Sequence, residues 1–131
     1  MDKAIFISIK PIHLNKIVSG IKNYEFRNYI PKKDINKLYV YESYPTCSLK
    51  YILTIDKIVK YPDKIKENGY GNSDFNKGIK TKYAYHIKKV EKIKESINLK
   101  DLKSKYNFNP PQRYAYDTKY PKITELIKKQ S

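Results

Sequence analysis

Lys22, Glu25 and Arg27 stand within six residues of one another in the run Gly20-Ile21-Lys22-Asn23-Tyr24-Glu25-Phe26-Arg27. They combine a compact cation, a carboxylate and a planar fork of donors. Lys22 offers a point charge to a phosphate or carbonyl oxygen, whereas Arg27 offers paired donors to a phosphate or to Glu25 itself. Glu25 can accept from a base amino group and, if burial raises its pKa, serve as a general acid or base. Such a set reads a nucleotide; with Lys22 and Glu25 as a catalytic pair it would also change one. Tyr24, in the same run, adds a ring.

A second set lies late in the chain, in Pro110-Pro111-Gln112-Arg113-Tyr114. Two prolines stiffen this loop, so little freedom is lost when Gln112 meets a ligand. The Gln112 amide both donates and accepts, which suits the edge of a base. Arg113 pairs with phosphate, and the Tyr114 ring gives a base a face to stack on. A third set closes Tyr39-Val40-Tyr41-Glu42-Ser43-Tyr44-Pro45, where Ser43 can hydrogen-bond a base or phosphate and Tyr44 can stack. Lys10 adds a cation just before the first helix.

These residues need elements to hold them. Ala4 to Ile9 reads as a strand, and Pro11 suits the first turn of a helix, where its missing N–H costs nothing. Leu14, Ile17 and Val18 fall at helical spacing, and Gly20 suits the position just past the helix end. Lys22 to Tyr29 reads as a second strand. Strict alternation there puts Lys22, Tyr24 and Phe26 on one face, with Asn23, Glu25 and Arg27 on the other. Lys37 to Ser43 is a third strand, with Leu38 and Val40 opposite Tyr39 and Tyr41. Leu49 to Lys60 is a central strand, and Lys82 to Ile97 starts as one. Short helices are expected over Pro62 to Asn68, Ser73 to Gly78 and Leu99 to Tyr106, with a closing helix from Pro121 to Gln130. This mixed order fits a single α+β domain over residues 1–131 with a small barrel-like sheet and flanking short helices.

The strand–helix–glycine–strand order from Ile9 to Arg27 resembles the ASCH domain of the PUA-like superfamily, and the likeness extends from about Lys3 to Tyr114. It implies an α+β PUA-like pseudobarrel. It also implies a cleft between the first helix and the sheet, lined by Gly20, Lys22, Glu25 and Arg27. Family members bind RNA or modified nucleobases, and a few cut or edit them. One branch deacetylates N4-acetylcytidine with a lysine, a threonine and a later glutamate. Lys22 matches the lysine; Glu25 stands in the threonine position, and no later acid sits in a matching motif. Others are ribonucleases with tyrosine, lysine and serine near the cleft, and Tyr39, Tyr41, Ser43 and Tyr44 cluster at one strand end here. The resemblance therefore implies RNA binding first, and a metal-independent enzyme on RNA or a modified nucleoside second.

Composition agrees. The 131 residues carry 28 Lys+Arg against 13 Asp+Glu, a formal net charge of +15, which attracts polyanions. RNA is expected ahead of DNA. Fourteen tyrosines and no tryptophan leave tyrosine as the main stacking ring. Cys47 is the only cysteine, so no intrachain disulfide and no Cys-based zinc site can form. His13 and His86 lack acid partners at metal-ligand spacing, so neither a metal nor a cofactor is expected. No apolar run approaches a membrane span and no signal-peptide pattern is present, so a reducing cytoplasm is the expected setting.

Overall fold

The computed structural model describes residues 3–130. Strand β1 (Ala4–Ile9) runs into helix α1 (Pro11–Val18), followed by β2 (Tyr24–Arg27), β3 (Lys37–Glu42) and β4 (Ser48–Lys60). Helix α2 (Asn72–Asn76), strand β5 (Tyr83–Asn98) and helix α3 (Leu99–Tyr106) come next. A two-residue strand β6 (Ala115–Tyr116), a 3-10 turn (Asp117–Lys119) and helix α4 (Pro121–Gln130) complete the chain. The six strands form one sheet in the order β2-β5-β4-β3-β1-β6. All pairs are antiparallel except β1 with β3, which run parallel from Ala4↔Lys37 to Ile9↔Glu42. This is the α+β pseudobarrel expected from the sequence.

Both faces of the sheet are apolar because alternate residues are bulky on each side. On one face Ala4, Phe6, Tyr39, Tyr41, Leu49 and Ile52 pack under Leu102 of α3 and Ile123 and Ile127 of α4, with Phe108 and Tyr120 between them. The other face is aliphatic: Ile5, Ile7, Ile9, Leu38, Val40, Leu53 and Ile55 meet Leu14 and Ile17 of α1. The opposed pairs Leu38/Val40 and Tyr39/Tyr41 thus divide between the two cores as their alternation predicts.

Helix α1 starts and stops where its residues dictate. Lys10 is extended at its N-cap, Pro11 occupies the first turn, and Gly20 at φ +86° turns the chain out. At that φ a side chain would be strained.

Three expectations are corrected. Pro62 to Asn68 forms no helix; it is an irregular loop anchored by Ile65, whose N–H and C=O both bond the Asn76 side chain. Strand β2 begins at Tyr24 and ends at Arg27, so Lys22 lies outside the alternation that assigned it to the Tyr24 face. Strand β5 runs unbroken through Asn98, longer than its alternation suggested. The pairing skips a residue between Thr54↔Lys89 and Ile55↔Ile87, a bulge at Lys88. It lets Ile87 and Val90, three residues apart, serve the same core.

Leu53 is fully buried at the centre of the aliphatic face. Leu53→Ala is expected to cost about 2–5 kcal/mol through lost contacts and a residual cavity. Urea unfolding checks this, and a loss below about 1 kcal/mol would show that the face can collapse around the gap.

Candidate nucleic-acid interface

Four of the segments singled out in the sequence converge on the end of β1. Because β1 and β3 are parallel, their C-terminal ends lie side by side, and the Ser43 N–H donates to the Ile9 carbonyl at 3.1 Å. Lys10 follows at once as the exposed N-cap of α1. One residue earlier, the Ser8 hydroxyl donates to the Pro111 carbonyl at 2.8 Å, which fastens the proline loop against the same strand end. The Ser8 carbonyl accepts from Arg27 Nη2 at 2.8 Å, which brings β2 in from the far edge of the sheet.

Glu25 is the hub of that last link. Its side chain leaves β2 on the face opposite Tyr24, and only 5% of the residue is exposed. Oε1 accepts from Lys22 Nζ at 3.0 Å; Oε2 accepts from Arg27 Nε at 2.9 Å and meets Arg27 Nη2 at 2.8 Å. Lys22 is equally buried, and its backbone N–H is tied to the Lys16 carbonyl of α1. One carboxylate thus joins the end of α1, strand β2 and, through Arg27, strand β1. Burial alone would pull the Arg27 pKa down, but the Glu25 carboxylate beside it more than offsets this and holds it above the ordinary value.

Tyr29 extends the chain of contacts. Its hydroxyl accepts from Arg27 Nη1 at 3.3 Å and donates to the Arg113 carbonyl at 2.6 Å. With the carbonyls of Pro111 and Arg113 both engaged, the exposed Gln112 between them is presented on a fixed backbone. The Arg113 guanidinium lies 4.8 Å from the centre of the Tyr29 ring, and the Tyr114 ring stands 5.3 Å from the same ring.

Lys10, Lys22, Glu25, Arg27, Ser43, Gln112, Arg113 and Tyr114 therefore belong to one connected neighbourhood. Tyr44 is 83% exposed on the turn next to Ser43. Tyr24 points the other way: it is fully buried with Ile65, Phe75 and Ala84, and its hydroxyl donates to Glu67 at 2.9 Å. Burial first, and then that bond, push its pKa up. It is not part of the neighbourhood, because a strand residue adjacent to Glu25 must face the opposite side.

Sequence reasoning missed Ser8 and Tyr29 and considered His13 as a metal ligand, a role it did not expect. Tyr29 was legible, since it lies two residues beyond Arg27 and shares its side of the chain; Ser8 carried no signal. His13, in the first turn of α1, has a buried Nδ1 with no hydrogen-bond partner. Its pKa is lowered by burial first and then by Lys22, against the opposing pull of Glu25. His86 does gain acids across the sheet, with Nδ1 2.6 Å from Asp56 and Nε2 3.7 Å from Glu67. Among the described residues, however, no group of His, Cys, Asp and Glu is arranged to hold a metal ion. No helix among them is long and apolar enough to cross a membrane.

Two consequences can be measured. Glu25→Gln would leave two buried cations without their carboxylate, at an expected cost of about 3–5 kcal/mol. Denaturant unfolding reads this directly, and a loss under about 1 kcal/mol would mean that solvent already reaches the cluster. For His13, a pKa depressed in the folded state means that the unfolded chain binds the proton more readily. The resulting stability is complete above the ordinary histidine range near pH 6.5 and falls away as the pH drops through the folded pKa. Between pH 7.5 and 5.5 wild type should therefore lose more thermal stability than His13→Gln, and equal losses would contradict the burial of its ring.

The fold has counterparts among solved structures. No family model and no curated relative matches the chain. Among solved structures, an ASCH protein from Zymomonas mobilis superposes with a TM-score of 0.68 at 26% identity, covering 95% of each chain. Its serine-to-alanine and tyrosine-to-phenylalanine variants superpose with a TM-score of 0.67, also at 26% identity. They cover 95% of this chain and 96% and 98% of their own, respectively. End-to-end similarity of this kind, on the strand order that carries the Lys22–Glu25–Arg27 cluster, makes this chain an ASCH domain with the PUA-like pseudobarrel fold.

Proposed function

We propose that the chain binds nucleic acid, RNA in preference to DNA, and holds a base or nucleotide where β1, β3, α1 and the proline loop meet. The observation that carries this reading is the convergence of Lys10, Ser43, Gln112 and Arg113 on Ser8 and Ile9, behind which the buried Glu25 cluster fixes the backbone. Exposed cations at Lys10 and Arg113 suit phosphate; the amide of Gln112 and the hydroxyl of Ser43 suit the edge of a base. The ASCH neighbours support an RNA-binding type of domain at the family level, and the net charge of +15 supplies a salt-sensitive background attraction.

Both oxygens of Glu25 are already held by cations, so its first role is to position Lys22 and Arg27. The second reading, metal-independent cleavage of RNA or deacylation of a modified nucleoside, draws support from His13. Its unpartnered Nδ1 lies within electrostatic reach of Lys22 and Glu25, the pair this reading would use, and opening of the first turn of α1 would be needed to bring that nitrogen to a substrate.

Lys22 and Glu25 are poor first targets for a binding test, because replacing either disturbs folding. Lys10→Ala, Gln112→Ala and Arg113→Ala combined remove exposed groups only. By fluorescence anisotropy with a labelled single-stranded RNA, the triple variant should bind about 10–100-fold more weakly, with a salt slope smaller by about two. Unchanged affinity and slope would remove the site. The RNA should emerge intact on a denaturing gel. Cleavage or deacylation that disappears in His13→Gln would establish the second reading instead.

A further inference from the structure

We infer that the seam between the two edges of the sheet is a strip for single-stranded RNA, along which the strand continues away from the nucleotide in the cleft. This rests on the nucleic-acid reading above. The sheet order leaves β2 and β6 as the two edges. Tyr29 follows β2, Tyr116 belongs to β6, and Tyr114 stands between them. The ring centres are 5.3 Å apart from Tyr29 to Tyr114 and 5.4 Å from Tyr114 to Tyr116, and all three residues are only partly buried.

Each end of this row carries a cation over a ring. The Arg113 guanidinium lies 4.8 Å from the centre of Tyr29, and Lys33 Nζ lies 5.2 Å from the centre of Tyr116. The Tyr116 hydroxyl also accepts from the Lys33 N–H at 3.2 Å, which fixes the basic loop beside the ring. The neighbouring carboxylate of Asp117 is turned inward, accepting from the Ala4 N–H at 3.2 Å.

Tyrosine hydroxyls help to close the seam: Tyr29 donates to the Arg113 carbonyl and the buried Tyr85 to the Tyr29 carbonyl, in front of a core that is otherwise mostly isoleucine, leucine and valine. Partly exposed tyrosines with cations beside them suit a single strand, since a base can displace the cation from the ring and stack there while guanidinium and ammonium groups follow the phosphates. A duplex hides its base faces and could not use the row. Tyr29 and Arg113 belong both to the nucleotide site and to the strip, so the strand leaves the cleft directly onto Tyr114 and Tyr116.

The test compares a uridine trimer, long enough for the cleft, with a uridine dodecamer, which reaches the strip. Tyr116→Leu with Lys33→Ala should weaken the dodecamer about tenfold and leave the trimer within about twofold of wild type. Lys33→Ala alone, a change at an exposed lysine that folding tolerates, should lower the salt slope for the dodecamer by about one. If wild type binds both RNAs and both variants match it on the dodecamer, the strip is overturned and the cleft stands. If wild type binds neither RNA, the nucleic-acid reading fails and the strip falls with it.

Discussion

A carboxylate with almost no access to water has to be neutralised and fully hydrogen-bonded, and the arrangement of this molecule around Glu25 follows from that requirement. Lys22 reaches Oε1 from the turn after α1, and Arg27 reaches Oε2 from the far end of β2. Arg27 has donors to spare. It spends them on the Ser8 carbonyl and the Tyr29 hydroxyl, and through these the short edge strand β2 is bound to β1 and to the proline loop. On its other face this four-residue edge strand is held by Tyr24 and Phe26, which pack with Ile65, Phe75 and Ala84.

The same contacts explain why an open sheet behaves as a barrel. Backbone pairing stops at β2 on one side and at the two residues of β6 on the other. Side chains bridge the remaining gap: Arg27 to Ser8, Ser8 to Pro111 and Tyr29 to Arg113. Because the last two of these bonds end on backbone carbonyls of the proline loop, they fix that loop while leaving the side chains of Gln112 and Arg113 facing solvent. Groups held rigidly on one side and free on the other lose little entropy on binding. Buried charge, sheet closure and a presented polar rim are thus parts of one device.

Much of this was legible in the sequence, because it rests on short-range rules. The opposed faces of β3, the ends of α1 and the closing helix α4 all follow from periodicity and from the placement of proline and glycine. Glu25 and Arg27 share a face because they are two apart in a strand. What could not be read depended on tertiary partners. Pro62 to Asn68 has the composition of a helix start, yet side chains from elsewhere satisfy its backbone: Asn76 bonds Ile65, Asn72 the Glu67 carbonyl and Asn23 the Asn68 carbonyl. The bulge at Lys88 broke the alternation of β5 because a long strand must bend to serve two cores. Lys22 meets Glu25 only because β2 starts two residues after it, and element ends are the least determined part of any periodicity argument. Ser8 accepts Arg27 through a carbonyl that every residue possesses, and its hydroxyl meets Pro111 more than a hundred residues away in sequence.

The central claim is that one rigid rim, at the joint end of β1 and β3, is where nucleic acid meets this domain. Backbone amide chemical shifts of the labelled protein, followed by NMR during titration with a short single-stranded RNA, test it most directly. The claim requires the largest changes at Lys10, Ser43, Gln112, Arg113 and Tyr114, with the lysines of β5 (Lys88, Lys89, Lys92 and Lys94) little affected. Changes centred on those β5 lysines, or spread evenly over the surface and erased by moderate salt, would contradict it.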